Sequence, residues 1–175
     1  MKMETDDLRS LKGVGPSVED KLKNLDILNQ TDLIFHLPSR YEDRTTIKKI
    51  GALKADIEAQ VEGEILLSSV VFRGRRMLMV QISDGTGIMT MRFFTFNKYQ
   101  KNALKKGLTI RCFGKTRKAT SGIEMIHPNY EILDLNKKNH LPNTLTPVYP
   151  TTQGLAQGKL RSLISQALNN RLDNI

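Results

Sequence analysis

From Ile57 to Ile65 the residue character switches at every step. Ile57, Ala59, Val61, Gly63 and Ile65 fall on one side, Glu58, Gln60, Glu62 and Glu64 on the other. A period of two over nine residues demands a strand with one wet face. The pattern recurs at Leu78, Val80 and Ile82, at Met89, Met91 and Phe93, at Ile110 with Cys112, and at Ile123 with Met125. Val70 to Gly74, with Arg73, Arg75 and Arg76, reads as a hairpin turn or loop. Ser83-Asp84-Gly85-Thr86-Gly87 reads as a tight turn rich in residues that accept positive φ, with Asp84 accepting backbone N–H bonds inside it. Asn97 predicts the cap of a helix over Lys98–Lys106, stopped by Gly107. Five strands with a helix between the third and fourth is the order of an OB-fold, a small Greek-key barrel. Its binding face lies on the second and third strands and the loops beside them.

The ends of the chain read as helical. Leu8 and Leu11 lead into Gly13-Val14-Gly15-Pro16, and Val18, Leu22 and Leu25 follow at helical spacing. Pro16 suits a first helical turn, where its missing N–H has no helical partner to lose. Thr31-Asp32 predicts the cap of a second short helix through Leu33, Ile34 and Leu37, which Pro38 ends. A Gly-Val-Gly between helices either holds a phosphate on its backbone amides, as helix-hairpin-helix motifs do, or merely packs. Leu37 to Arg44 reads as a polar connector laced by ion pairs, and Leu145 to Pro150 as a stretch extended by its prolines. Leu160, Leu163, Ile164, Ala167, Leu168 and Leu172 form a helical stripe that leaves an apolar face open to a partner. The fold class is thus mainly β with flanking helices: a helical hairpin and connector over 1–50, a five-stranded OB-fold barrel over 51–135, and a linker with a terminal helix over 136–175.

Charge singles out one part of the barrel. Gly85 to Ile123 contains no Asp or Glu but carries Arg92, Lys98, Lys101, Lys105, Lys106, Arg111, Lys115, Arg117 and Lys118. These nine account for the formal net charge of +9, because the remaining 18 Lys and Arg match the 18 Asp and Glu. Phe93, Phe94, Phe96, Tyr99 and Phe113 lie among them. Cations for phosphates and rings for bases are what a nucleic-acid groove needs. Read with period two from Ile88 to Phe96, one strand face carries Met89, Met91 and Phe93, which is core. The other carries Thr90, Arg92, Phe94 and Phe96. Phe94 fits a ligand ring and a packing ring equally well, whereas Phe96, nearer the strand end, reads as a ligand ring. Loss of Phe94 is therefore expected to hurt folding more than loss of Phe96.

Several chemistries find no support. Gly114-Lys115-Thr116 resembles the end of a phosphate-binding loop, but Thr109 stands where its first glycine belongs. Asp84 is a lone acid beside the basic stretch, so paired carboxylates for two metals are missing. His127 has no nucleophile beside it in sequence. Cys112 is the single cysteine, a core residue by its pattern, and with His36, His127 and His140 it offers no zinc spacing. No apolar run approaches the roughly 20 residues of a bilayer span, and no secretory leader opens the chain, so a cytoplasmic location is expected. Without a long basic amphipathic helix, nucleic acid is preferred to a membrane surface as the partner.

Six stretches add a resemblance. LKGVGP at Leu11–Pro16, LPSRYEDRT at Leu37–Thr45, SDGTG at Ser83–Gly87, MRFF at Met91–Phe94, EMIHPNYE at Glu124–Glu131 and LTPVYPTTQGL at Leu145–Leu155 occur in the order and spacing of one family. Over nearly its whole length the chain resembles the N-terminal region of the RecG family of bacterial branched-DNA helicases. The resemblance implies an OB-fold wedge that sits at replication forks and Holliday junctions in repair and recombination. It also implies two RecA-like motor domains, outside this chain, that use ATP and Mg and act as its partners; the chain itself is expected to need no cofactor. Family rings that stack at the branch point correspond to the Phe93–Tyr99 segment, with Phe94 and Phe96 competing for one position and Tyr99 matching the other. With Arg92, Arg73, Arg75, Arg76, Lys98, Lys101, Lys115, Arg117 and Lys118, these rings make up the expected DNA contacts. The alternative is a stand-alone OB-fold module for single-stranded DNA or RNA.

Overall fold

The computed structural model describes residues 6–134 and 140–172, Arg73 by its backbone alone. It contains helices α1 (Pro16–Lys23), α2 (Gln30–Phe35), α3 (Lys98–Ala103) and α4 (Gln157–Leu172). Its strands are β1 (Arg40–Glu42), β2 (Glu58–Arg73), β3 (Arg75–Ser83), β4 (Ile88–Phe93), β5 (Thr109–Ala119), β6 (Gly122–Ile126), β7 (Asn129–Ile132) and β8 (Thr146–Val148). Two compact units divide them. One comprises the segments up to Glu42 and from Thr146, the other Asp43–Leu145. The N- and C-terminal segments thus share one unit.

The larger unit is the barrel. Strand order β2-β3-β4-β6-β5-β7 closes through an additional β2–β5 pairing. β2 is long enough to serve two neighbours: Glu58–Glu64 pairs with β5 and Glu64–Arg73 with β3, the ladder slipping between Ile65 and Leu67 where the strand bends. Gly63 lies at that corner because an added Cβ would stand 2.8 Å from the Ser83 carbonyl oxygen. β4 pairs with β6 in parallel. The fifth strand of the expected barrel is broken: β6 pairs with β4, the chain kinks at His127-Pro128, and β7 continues along β5 alone. The expected inward residues Ala59, Val61, Ile65, Leu78, Val80, Ile82, Met89, Met91, Phe93, Ile110, Cys112 and Met125 all lie in one core. Burial pushes the Cys112 thiol up to about 12, which leaves it inert.

Local chemistry sets the element ends. The Asn97 side chain accepts from the Gln100 N–H at 2.8 Å and caps α3 as expected. The helix stops at Ala103, short of Lys106, because Leu104 turns fully into the barrel core. Asp84 accepts the Thr86 hydroxyl at 2.6 Å, the Thr86 N–H at 2.9 Å and the Ile50 N–H at 3.0 Å. Burial pushes this carboxyl up, but those bonds outweigh it and hold it at about 2.

In the smaller unit, Leu8, Leu11, Leu22, Ile27, Leu33, Leu160, Leu163, Ile164 and Ala167 form one core. α2 is capped by Asn29, two residues before the expected Thr31, and its side chain accepts from the Asp32 N–H at 2.8 Å. Asp32 instead reaches back to the Leu28 N–H at 2.9 Å. The expected connector around Arg40 is a strand: β1 pairs antiparallel with β8, and buried Glu42 takes the Arg40 guanidinium at 2.9 Å. The glycine hairpin packs on α4, where Gln166 accepts the Lys12 N–H at 2.9 Å. Leu168 and Leu172 of the apolar stripe stay exposed, in a groove with Phe35 and Tyr149.

Candidate nucleic-acid interface

β2 and β3 outrun the rest of the barrel. The last β3–β4 pair is Leu78 with Phe93, yet the β2–β3 ladder continues through Phe72 with Arg76 and Arg73 with Arg75. Gly74 makes the turn at a φ of 72°, a conformation that favours glycine. The expected loop from Val70 to Gly74 is therefore strand up to its last residue. Pleating then assigns Arg76 and Phe72 to one face of the hairpin and Arg75 to the other.

The segment after β4 meets both faces. β4 ends at Phe93, not at Phe96, because the Phe94 N–H donates to His127 Nε2 at 3.1 Å instead of to a strand carbonyl. The Arg75 guanidinium stands 3.5 Å from the centroid of the Phe94 ring, and the Arg76 guanidinium 4.9 Å from that of Phe96. Each is a cation held over a π-face. The His127 ring lies 5.8 Å from Phe94. Both rings are half-buried, and Phe96, the expected ligand ring, packs against the barrel core. Tyr99, in the first turn of α3, is 86% exposed.

Arg75 and Arg76 on the hairpin and Lys98 and Lys101 on α3 are exposed, and the two arginines meet the rings. Lys101, Lys105 and Lys106 line a groove of about 330 Å³ with Leu66, Leu67 and Ser68 of β2. Arg92 is turned away from any such surface: its Nε lies 2.5 Å from Glu124 Oε2 and its Nη1 3.9 Å from the Met77 sulfur. Neither Arg92 Nε nor Glu124 Oε2 makes an aligned hydrogen bond among the described residues, so the contact is an ion pair of poor geometry. Arg111 is likewise structural, buried between Glu62 and Glu131 at 2.6 and 2.9 Å. Lys115 stays exposed with Asp56 3.9 Å away. Arg117 and Lys118 pair with Glu124 and Ile123, and Ile123 faces Met89 at the start of β4. Five residues along a strand separate that level from Phe94, roughly 16 Å. These two cations do not join the ring cluster. The Arg73 side chain lies outside the described residues.

Phe113, counted among the rings of the basic stretch, is buried beneath the Arg44 guanidinium at 4.3 Å. Phe72 is absent from the sequence-based expectations, yet it is 75% exposed at the hairpin tip, across from Arg76. Extending the alternation of Val70 by one step would place it there. The contact of His127 to Phe94 carries no sequence signal.

Residues 7–170 match the RecG wedge domain. The chain is 47% identical over 162 residues to the ATP-dependent DNA helicase RecG of Escherichia coli K12, covering 93% of this chain and 23% of that protein. The Pasteurella multocida and Staphylococcus aureus (strain NCTC 8325) proteins of the same description are 44% and 28% identical, covering 92% and 93% of this chain and 23% and 24% of their own length. A solved structure of RecG bound to a three-way DNA junction superposes with a TM-score of 0.76 at 25% identity, over 95% of this chain and 23% of that one. The chain spans about a quarter of the length of these relatives. It belongs to the RecG wedge domain family.

Proposed function

We propose that this chain is the non-catalytic, junction-binding wedge of a RecG-type helicase, acting where strands part at stalled replication forks and Holliday junctions. The observation that carries this reading is the pairing of Arg75 with Phe94 and Arg76 with Phe96, beside exposed Tyr99. Unpairing at a branch point exposes bases whose lost stacking has to be replaced. A ring recovers roughly 1–3 kcal/mol per base at any sequence. Each guanidinium moves to a phosphate when DNA arrives and frees the ring face it covers for a base. The lysines of the α3 groove suit a phosphate backbone that leads away from the rings.

In this reading ATP and Mg belong to RecA-like motor domains in the part of the full-length protein beyond this chain, which pull duplex past the wedge. The work on bacterial chromosomal DNA would take place in the cytoplasm; among the described residues no helix is long and apolar enough to cross a membrane. Purified chain should show no DNA-stimulated ATP hydrolysis, and turnover above that of a mock preparation contradicts the division of labour. Binding itself is tested by anisotropy titrations with labelled fork, duplex and single-stranded DNA. Preference for the fork supports the reading, and preference for single strands points to a general OB-fold binder.

A further inference from the structure

We infer that His127 is the positioning residue of the ring cluster, and the inference rests on the junction-binding reading above. β4 and β6 run parallel, with Arg92 opposite Ile126 as the last pair in register. The next pair would be Phe93 with His127, and half of it forms: the His127 N–H donates to the Arg92 carbonyl at 2.8 Å. The other half of a parallel pair would have the Phe94 N–H donate to the His127 carbonyl. Here His127 adopts a φ of +46°, in the left-handed region, and its own imidazole Nε2 accepts the Phe94 N–H at 3.1 Å. A side chain has taken the place of the ladder's next acceptor. Because an amide can only donate, Nε2 carries no proton in this contact and the neutral ring holds its hydrogen on Nδ1.

This substitution has a consequence for the rings. Had the backbone pairing continued, Phe94 to Phe96 would extend β4 and lie flat in the sheet. With the ladder handed to a side chain, the strand ends at Phe93 and the segment leaves the sheet beside the hairpin, where its rings meet Arg75 and Arg76. The His127 ring also lies 5.8 Å from Phe94 and 5.9 Å edge-on to Phe93 at the end of β4, so it braces the point where the segment departs. Backbone strain of this kind persists where the surroundings impose it, and here what it yields is the exit angle of the aromatic segment.

The test uses His127→Phe, which keeps a ring but no acceptor, and His127→Gln, whose Oε1 reaches the place of Nε2. Three measurements are made on each: melting temperature, hydrogen exchange of the Phe94 amide, and affinity for fork DNA. His127→Phe should lose protection at Phe94 and bind the fork about 3- to 10-fold more weakly, the equivalent of one hydrogen bond. His127→Gln should restore both. Added to Phe94→Ala, His127→Phe should weaken binding by less than it does alone, since the two act through one segment. Unchanged fork affinity in His127→Phe, in a preparation where Tyr99→Ala does weaken binding, overturns the positioning role. If Tyr99→Ala is also silent, the junction-binding reading itself fails. Should His127→Phe melt far below the parent chain, His127→Gln decides alone: parent-like protection and affinity support the acceptor role, and loss of either overturns it.

Discussion

Tyr99 separates binding from folding most cleanly, because its ring is 86% exposed and has no part in the core. Tyr99→Ala should weaken fork binding by roughly 1–3 kcal/mol at an unchanged melting temperature, while Tyr99→Phe keeps the ring and the affinity. Phe96 is a mixed case. Its ring touches the barrel core from a half-buried position, so Phe96→Ala should lose both affinity and stability, the latter by less than the roughly 3–5 kcal/mol of a fully buried Phe. Asp84 is purely structural. Its carboxyl, held at about 2, lies below the usual carboxylate range, so its contribution to stability is complete above about pH 4 and fades as pH falls toward 2. Allowing for solvent screening of a partly exposed group, Asp84→Asn should cost about 1 kcal/mol at pH 7. Urea titrations at pH 7 and pH 2.5 check the sign: the gap between the two proteins narrows in acid. A gap that widens contradicts it.

The β2–β3 hairpin is the element that gathers the cations. Arg75→Ala with Arg76→Ala should flatten the log–log salt dependence of fork binding by up to about 2, near 0.9 for each phosphate no longer neutralised. An unchanged slope shifts the backbone contacts to the lysines of α3. How much of this is legible in sequence depends on where the deciding contact lies. Ala59 to Met125 announce their burial because each inward residue follows its neighbour by two, and the Asn97 cap is visible because its partner is three residues away. The end of β4 is not visible, since the acceptor that terminates it is a side chain 33 residues further on. Arg92 and Arg111 look free because no acid lies inside the basic stretch, but Glu124, Glu62 and Glu131 arrive from outside it once the barrel closes. The two arginines that do meet the rings are legible as candidates, though their hairpin reads as a loop in sequence.

At the scale of the whole molecule, a family match over residues 7–170 takes in both compact units, while the candidate contacts all lie in the barrel unit. The proposed function has this barrel recognise the branch point, where bases are unpaired beside duplex, and not DNA in general. Phosphate contacts alone would bind every form of DNA and vanish with salt, whereas ring stacking requires exposed bases and releases no counterions. The direct measurement is the dissociation constant of the chain for a three-way fork relative to duplex of equal length, taken at two salt concentrations and repeated with Tyr99→Ala. Branch-point recognition predicts a preference of about tenfold or more for the fork, as one or two stacked bases would give, persisting at the higher salt and largely lost in the variant. Equal affinity for fork and duplex, or a preference that Tyr99→Ala leaves intact, would contradict it.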